Sequence, residues 1–101
     1  MATPSKAHDP ITPSELLATE FLDPLGISHF RLAEATRLPQ VRISEIVRGK
    51  RAITTDTALR LSKGLGVDDR FWINIQTDFD LEVELARRGD ELAKVIPLVA
   101  N

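Results

Sequence analysis

Between residues 40 and 51 the chain gathers side chains that can read or grip a nucleic acid: Gln40, Arg42, Ser44, Arg48, Lys50 and Arg51. A glutamine amide pairs with adenine and an arginine fork with guanine, each through two hydrogen bonds at the base edge, while neighbouring cations neutralise phosphates. The spacing suits a helix. Ile43, Ile46 and Val47 fall at i, i+3 and i+4 as one apolar stripe, which leaves Gln40, Val41, Arg42 and Ser44 facing outward at its start. Upstream, His29 and Arg31 add donors at the start of another helical segment. An imidazole can donate to a phosphate, in a pH-sensitive way where both nitrogens are used.

The net charge of -2 hides an uneven distribution. Residues 29–51 hold Arg31, Arg37, Arg42, Arg48, Lys50 and Arg51 against only Glu34 and Glu45, a local balance of +4. Both flanks are acidic. Partners respond to local fields rather than to totals, so one short segment carries the positive face.

The elements that must position these residues are helices. Thr12-Pro13-Ser14-Glu15 combines an N-cap hydroxyl, a proline at the first helical position and a reciprocal glutamate, predicting a helix over 13–24 that buries Leu17 and Phe21 with Leu16 and Leu25 beside them. Ser28 caps a second helix with Leu32 and Ala33 inward, and a tight turn around Thr36 to Leu38 leads to Pro39, which opens the third. Gly49 stops it. Thr54 caps a fourth helix burying Ala58, Leu61 and Leu65 and ending at Gly66, with Gly64 expected to weaken its last turn by about 1 kcal/mol relative to alanine. Asp68 or Asp69 caps a fifth, whose stripe of Trp72, Ile75, Phe79, Val83 and Ala86 ends at Gly89. Trp72 and Ile75 are expected in the core, and Phe79 and Val83 at a dimer interface. The expected organisation is all-α: a flexible lead-in over 1–11, one helix-turn-helix domain over 12–89 and a tail over 90–101.

Composition removes other chemistries. With 43% hydrophobic residues the chain can bury one modest core, and the absence of cysteine removes disulfides, thiolate sites and thiol nucleophiles, which favours a cytoplasmic location. His8 and His29, the two histidines, lack partners for a zinc site or a catalytic triad, and no glycine-rich phosphate loop occurs. Asp78, Asp80, Glu82 and Glu84 alternate along a helix and therefore diverge rather than converge on a cation. No catalytic residue, metal site or cofactor is expected. No apolar run approaches the roughly 20 residues of a membrane span, and Met1 to Pro10 lacks the basic-then-apolar order of a signal peptide.

From Ser28-His29-Phe30-Arg31-Leu32-Ala33 through Ile43 to Arg51, the sequence resembles the helix-turn-helix of Xre-type repressors, the group that includes lambda repressor and Cro. The stretch ISEIVRGKRAITTDTALRL, followed by Phe71-Trp72-Ile73-Asn74-Ile75-Gln76 and Phe79-Asp80-Leu81, narrows the resemblance to the HigA family of addiction-module antidotes. It covers about 12–85 and implies a five-helix, lambda-repressor-like DNA-binding fold, a homodimer and repression of the chain's own operon through double-stranded operator DNA. It also implies neutralisation of a RelE-like HigB toxin that cleaves messenger RNA. Such a toxin is expected to be basic, so Glu15 and Glu20 on the first helix and Glu82 and Glu84 on the fifth are candidate toxin contacts. A stand-alone Xre-type regulator and an interaction module that binds no DNA are the competing readings.

The sequence departs from the family pattern at three places. Thr12-Pro13-Ser14-Glu15 replaces the His-Pro-Gly-Glu opening and keeps the capping residues. Arg37 stands where glycine is common in the turn, so a left-handed conformation there carries a side-chain cost. His29 stands where glutamine often opens the second helix.

Overall fold

A computed structural model of the chain describes residues 11–99, which form five helices and, among the described residues, no strand. The expected lead-in, Ile11 apart, lies outside the described residues, as do His8 and the end of the tail.

The first helix, α1, covers 13–25 in three pieces: an α-turn Pro13–Leu16, a π-helical segment Leu17–Leu22 and an α-turn Asp23–Leu25. Its start is the predicted capping box: Thr12 Oγ1 accepts from the Glu15 N–H at 3.1 Å, and the Glu15 carboxylate accepts from the Thr12 N–H at 3.4 Å. The middle departs from expectation. Leu17 and Leu22, five residues apart, are the fully inward pair, because a π-turn brings i and i+5 to one face. The widened turn also eases the clash of Pro24 with the carbonyl four residues back, so the helix passes the proline and stops at left-handed Gly26. Phe21 is half-buried against Phe71 and Trp72, with ring centroids 5.9 and 5.3 Å away, and Leu25, expected beside the core, is 61% exposed.

Helices α2 (His29–Thr36) and α3 (Gln40–Val47) form the helix-turn-helix. The Ser28 hydroxyl accepts from the Arg31 N–H at 3.0 Å, and Leu32, Ala33, Ile43 and Ile46 are buried. Pro39 sits one place earlier than expected, as the N-cap of α3. The turn is left-handed at Arg37, with φ of 59°. A non-glycine residue pays about 1–2 kcal/mol there, and the backbone is held from α4 (Thr55–Leu65): Arg60 Nη1 donates to the Thr36 carbonyl at 3.0 Å and reaches the Arg37 carbonyl at 3.5 Å. Relief of the cost is partly offset by the greater freedom of an unfolded glycine, about 0.4–1 kcal/mol. Arg37→Gly is therefore expected to stabilise by less than about 1 kcal/mol, a rise of a few degrees in thermal midpoint. A lowered midpoint would show that the arginine side chain itself holds the turn.

Helix α4 starts at its predicted Thr54 cap and stops at left-handed Gly66. Gly64 does more than weaken it, because a Cβ there would come within 2.9 Å of Thr36 Cγ2. The glycine is a point of close approach between α4 and α2.

Helix α5 (Phe71–Leu92) corrects two expectations. Neither aspartate is its N-cap. Arg70 is, and Asp68 Oδ1 accepts from the Arg70 N–H at 2.8 Å, a turn ahead of the helix. Nor does Gly89 end it: the regular winding breaks at Arg88, with φ of -119°, and a further turn runs to Leu92. Trp72 is fully buried, Ile75 half-buried and Ala86 exposed. From Glu84 onward every described residue is exposed, so the outer half of α5 and the tail leave the core. The radius of gyration, 16.3 Å, exceeds the roughly 13 Å of a compact domain of this length for that reason.

Candidate nucleic-acid interface

The helix-turn-helix brings the predicted contact residues onto one surface. Gln40 is exposed, Val41 is 62% exposed, and Arg42 and Ser44 are partly exposed on the first turns of α3. Their outward direction follows from the burial of Ile43 and Ile46 on the opposite side. The Arg42 side chain makes no hydrogen bond or ion pair among the described residues, so its guanidinium fork is available to a base edge.

His29 and Ser44, fifteen residues apart in sequence, meet: His29 Nδ1 lies 3.1 Å from Ser44 Oγ. The tautomer of the ring sets what the hydroxyl offers. Where Nδ1 is the acceptor, Ser44 spends its only proton on the ring and presents lone pairs outward; where Nδ1–H donates, the hydroxyl keeps its proton for an outside acceptor. The pair also ties the start of α2 to α3, so the two helices present one rigid face. Arg31 is exposed beside it.

The C-terminal edge of α3 supplies the cations. Gly49, with φ of 73°, takes the left-handed position, and the Lys50 N–H donates to the Glu45 carbonyl at 2.8 Å. The side chains of Arg48 and Lys50 are exposed with no partner among the described residues. Arg51 is not free: its Nε donates to Glu45 Oε1 at 2.8 Å. Such an exposed pair is worth at most about 1 kcal/mol, so a phosphate can displace the carboxylate.

Other expected residues are distributed differently. Phe79 and Val83 are half-buried within the chain, whereas Leu81, Leu85 and Leu92 are 56%, 58% and 43% exposed. At about 100° per residue these leucines point away from the Phe79 face. Among the acidic candidates, Glu15 serves the capping box and Glu84 is paired with Arg88 at 2.7 Å and Arg87 at 3.5 Å. Glu20 and Glu82 stay exposed. No helix among the described residues is long and apolar enough to cross a membrane, and no group of histidine and carboxylate side chains among them is arranged to hold a metal ion.

Three residues escaped the sequence reading. Phe30 is 55% exposed at the start of α2, and its signal was an aromatic out of register with Leu32 and Ala33. Arg60 and buried Gln76 act through backbone groups distant in sequence, which no local pattern reveals.

The fold has counterparts. Residues 20–72 match the family model described as Helix-turn-helix. Antitoxin HigA-1 of Vibrio cholerae is 36% identical over 91% of this chain and 87% of its own length. The chain belongs to the HigA family of Xre-type helix-turn-helix proteins. Another relative, Virulence-associated protein I of Dichelobacter nodosus, is 48% identical over 72% of this chain and 68% of its own. The Pseudomonas aeruginosa antitoxin HigA, solved with the higBA promoter, superposes with a TM-score of 0.81 at 34% identity, covering 89% of this chain and 99% of that one. HigA-family relatives are antitoxins and transcriptional regulators, and the all-helical fold is theirs. Membership sets the enzymatic readings aside.

Proposed function

We propose that the chain binds double-stranded operator DNA through α2 and α3, as a homodimer, to repress its own operon, and that it neutralises a HigB-like messenger-RNA-cleaving toxin in the cytoplasm. The observation that carries the DNA reading is the grouping of exposed Gln40 and Val41 and partly exposed Arg42 around the His29–Ser44 pair, inside the segment of +4 charge. A HigA structure of the same fold solved with its promoter supports it. Gln40, Arg42 and Ser44 read base edges, Val41 offers an apolar contact to thymine methyls, and His29, Arg31, Arg48, Lys50 and Arg51 engage phosphates.

A homodimer sets two recognition helices about 34 Å apart along one face of the duplex. The proposed seam is on α5: Phe79 and Val83, expected there, are half-covered by the chain's own packing, and the exposed apolar area that a second copy would cover lies on the other face, at Leu81 and Leu85. Glu20 and Glu82 are the acidic contacts left open to a basic toxin.

A mobility shift on the DNA upstream of the gene, at two salt concentrations, is expected to show a dimeric complex that weakens steeply with salt. Co-expression with the adjacent reading frame is expected to rescue growth. Absence of a shift at low salt would overturn the DNA reading, and a monomer by sedimentation at micromolar concentration the dimer. A second reading, a regulator without a toxin, is favoured by the engagement of Glu15 and Glu84 within the chain itself. Lack of a toxic neighbour would select it.

A further inference from the structure

Gln76 is 6% exposed and carries a polar amide into the interior of α5. Both ends of that amide are used. Its Oε1 accepts from the Ile53 backbone N–H at 2.8 Å, and its Nε2 donates to Asp80 Oδ1 at 2.9 Å, one turn along the helix. The orientation is forced. A backbone N–H only donates, so the oxygen must face Ile53, and the acceptor-only carboxylate of Asp80 then takes the NH2.

The bonded backbone belongs to the segment that carries two of the phosphate-binding cations. Near its start, that segment is fixed by the Gly49 N–H to the Ile46 carbonyl at 3.0 Å and the Lys50 N–H to the Glu45 carbonyl at 2.8 Å. Its far end is fixed by Ile53, 2% exposed, and the bond to Gln76. Between them, Lys50, Arg51 and Ala52 line a cleft of about 260 Å³ together with Gln76, Phe79 and Asp80. Helix α5 thus holds, through one backbone bond at Ile53, the far end of the segment that carries these cations.

We propose that Gln76 is a positioning residue for DNA binding: it acts through Ile53 to hold Lys50 and Arg51 against the phosphate backbone, while Asp80 fixes the direction of its amide. The proposal rests on the reading of residues 29–51 as the DNA surface. Phosphate contacts carry no sequence information, so their misplacement weakens all DNA alike. Loss of a base-reading residue does not behave this way.

Gln76→Leu keeps the volume and removes both bonds. It is expected to weaken operator and random DNA about tenfold each, leaving their ratio unchanged, and to reduce the slope of log affinity against log salt by about one for each phosphate no longer neutralised. Hydrogen exchange on the same protein is expected to show a faster Ile53 amide, with the amides of Ile43 and Ile46 still protected, which separates positioning from loss of fold. Combining Gln76→Glu with Asp80→Asn restores both bonds at unchanged net charge, because the introduced carboxylate accepts from the Ile53 N–H and from the introduced amide. This exchange is expected to bind more tightly than Gln76→Glu alone, which sets two carboxylates one turn apart. A folded Gln76→Leu variant that binds both DNAs as the parent does, or that loses operator binding only, would overturn the proposal. If that variant does not fold, equal affinities of the exchanged and single variants would overturn it instead. Failure of the parent chain to bind operator DNA would overturn the DNA reading as well, whereas failure among the variants alone leaves that reading standing.

Discussion

Arg42→Ala is expected to weaken binding to the cognate operator by about 1 to 3 kcal/mol and to flatten the preference at one base pair, the scale of one bidentate pairing with a base. Arg51→Ala should behave differently, lowering affinity for every sequence. Its effect has two parts, because the substitution removes a cation and also releases the Glu45 carboxylate that Arg51 holds at 2.8 Å. Glu45→Gln added to Arg51→Ala should recover the second part. The double variant Arg42→Ala with Arg51→Ala is expected to abolish repression yet still rescue cells expressing the toxin, since the proposed toxin contacts Glu20 and Glu82 lie outside the recognition helix. Growth assays answer this once circular dichroism and sedimentation show the fold and dimer intact. Loss of rescue would mean that the toxin seats on the recognition helix, and equal weakening of operator and random DNA by Arg42→Ala alone would remove its base-reading role.

Gly64→Ala is expected to lower stability although alanine is the better helix former by about 1 kcal/mol. The added methyl would stand 2.9 Å from Thr36 Cγ2, and Thr36 cannot turn away: it is 4% exposed and its hydroxyl donates to the Leu32 carbonyl at 2.7 Å. Overpacking at such a contact costs about 1 to 3 kcal/mol, a fall of several degrees or more in thermal midpoint. Thr36→Ser removes the obstructing methyl and keeps the hydroxyl, so the pair of substitutions should recover part of the loss. Strict additivity, or a raised midpoint for Gly64→Ala, would show that α2 and α4 shift apart freely.

The contrast at Gly64 illustrates what the sequence discloses. Most caps and stops were legible because they act within four residues: Thr12 with Glu15, Ser28, Thr54, Gly49 and Gly66 all stand where their side chains or conformations place them, whereas the expected Asp68 or Asp69 cap and Gly89 stop of α5 do not. The inward faces of α2, α3 and α4 were legible from period alone. What depended on a distant partner was not. Gly64 was read as a weak helix residue because Thr36 was invisible to it, and Arg60 and Gln76 read as ordinary helix residues because their acceptor and donor lie 24 and 23 residues away. The π-turn in α1 shifted the core from Phe21 to Leu22, a change of register that a fixed period of 3.6 cannot anticipate. In the candidate site, the residue types were legible; the His29–Ser44 link and the Arg51–Glu45 pair were not.

The departure of α5 from the core bears on how long a molecule of this protein lasts. Its outer turns, broken at Arg88 and exposed throughout, are too short to hold a helix alone in water and draw no support from packing within the chain. In the chain by itself they open at a fraction of the cost of global unfolding, so a protease can engage that end without waiting for Trp72 or Ile43 to leave the interior. Anything that covers the outer turns withdraws the handle. Where the proposed seam covers them, one contact both lengthens survival and pairs the recognition helices, so a substitution that breaks it is expected to lower the two together.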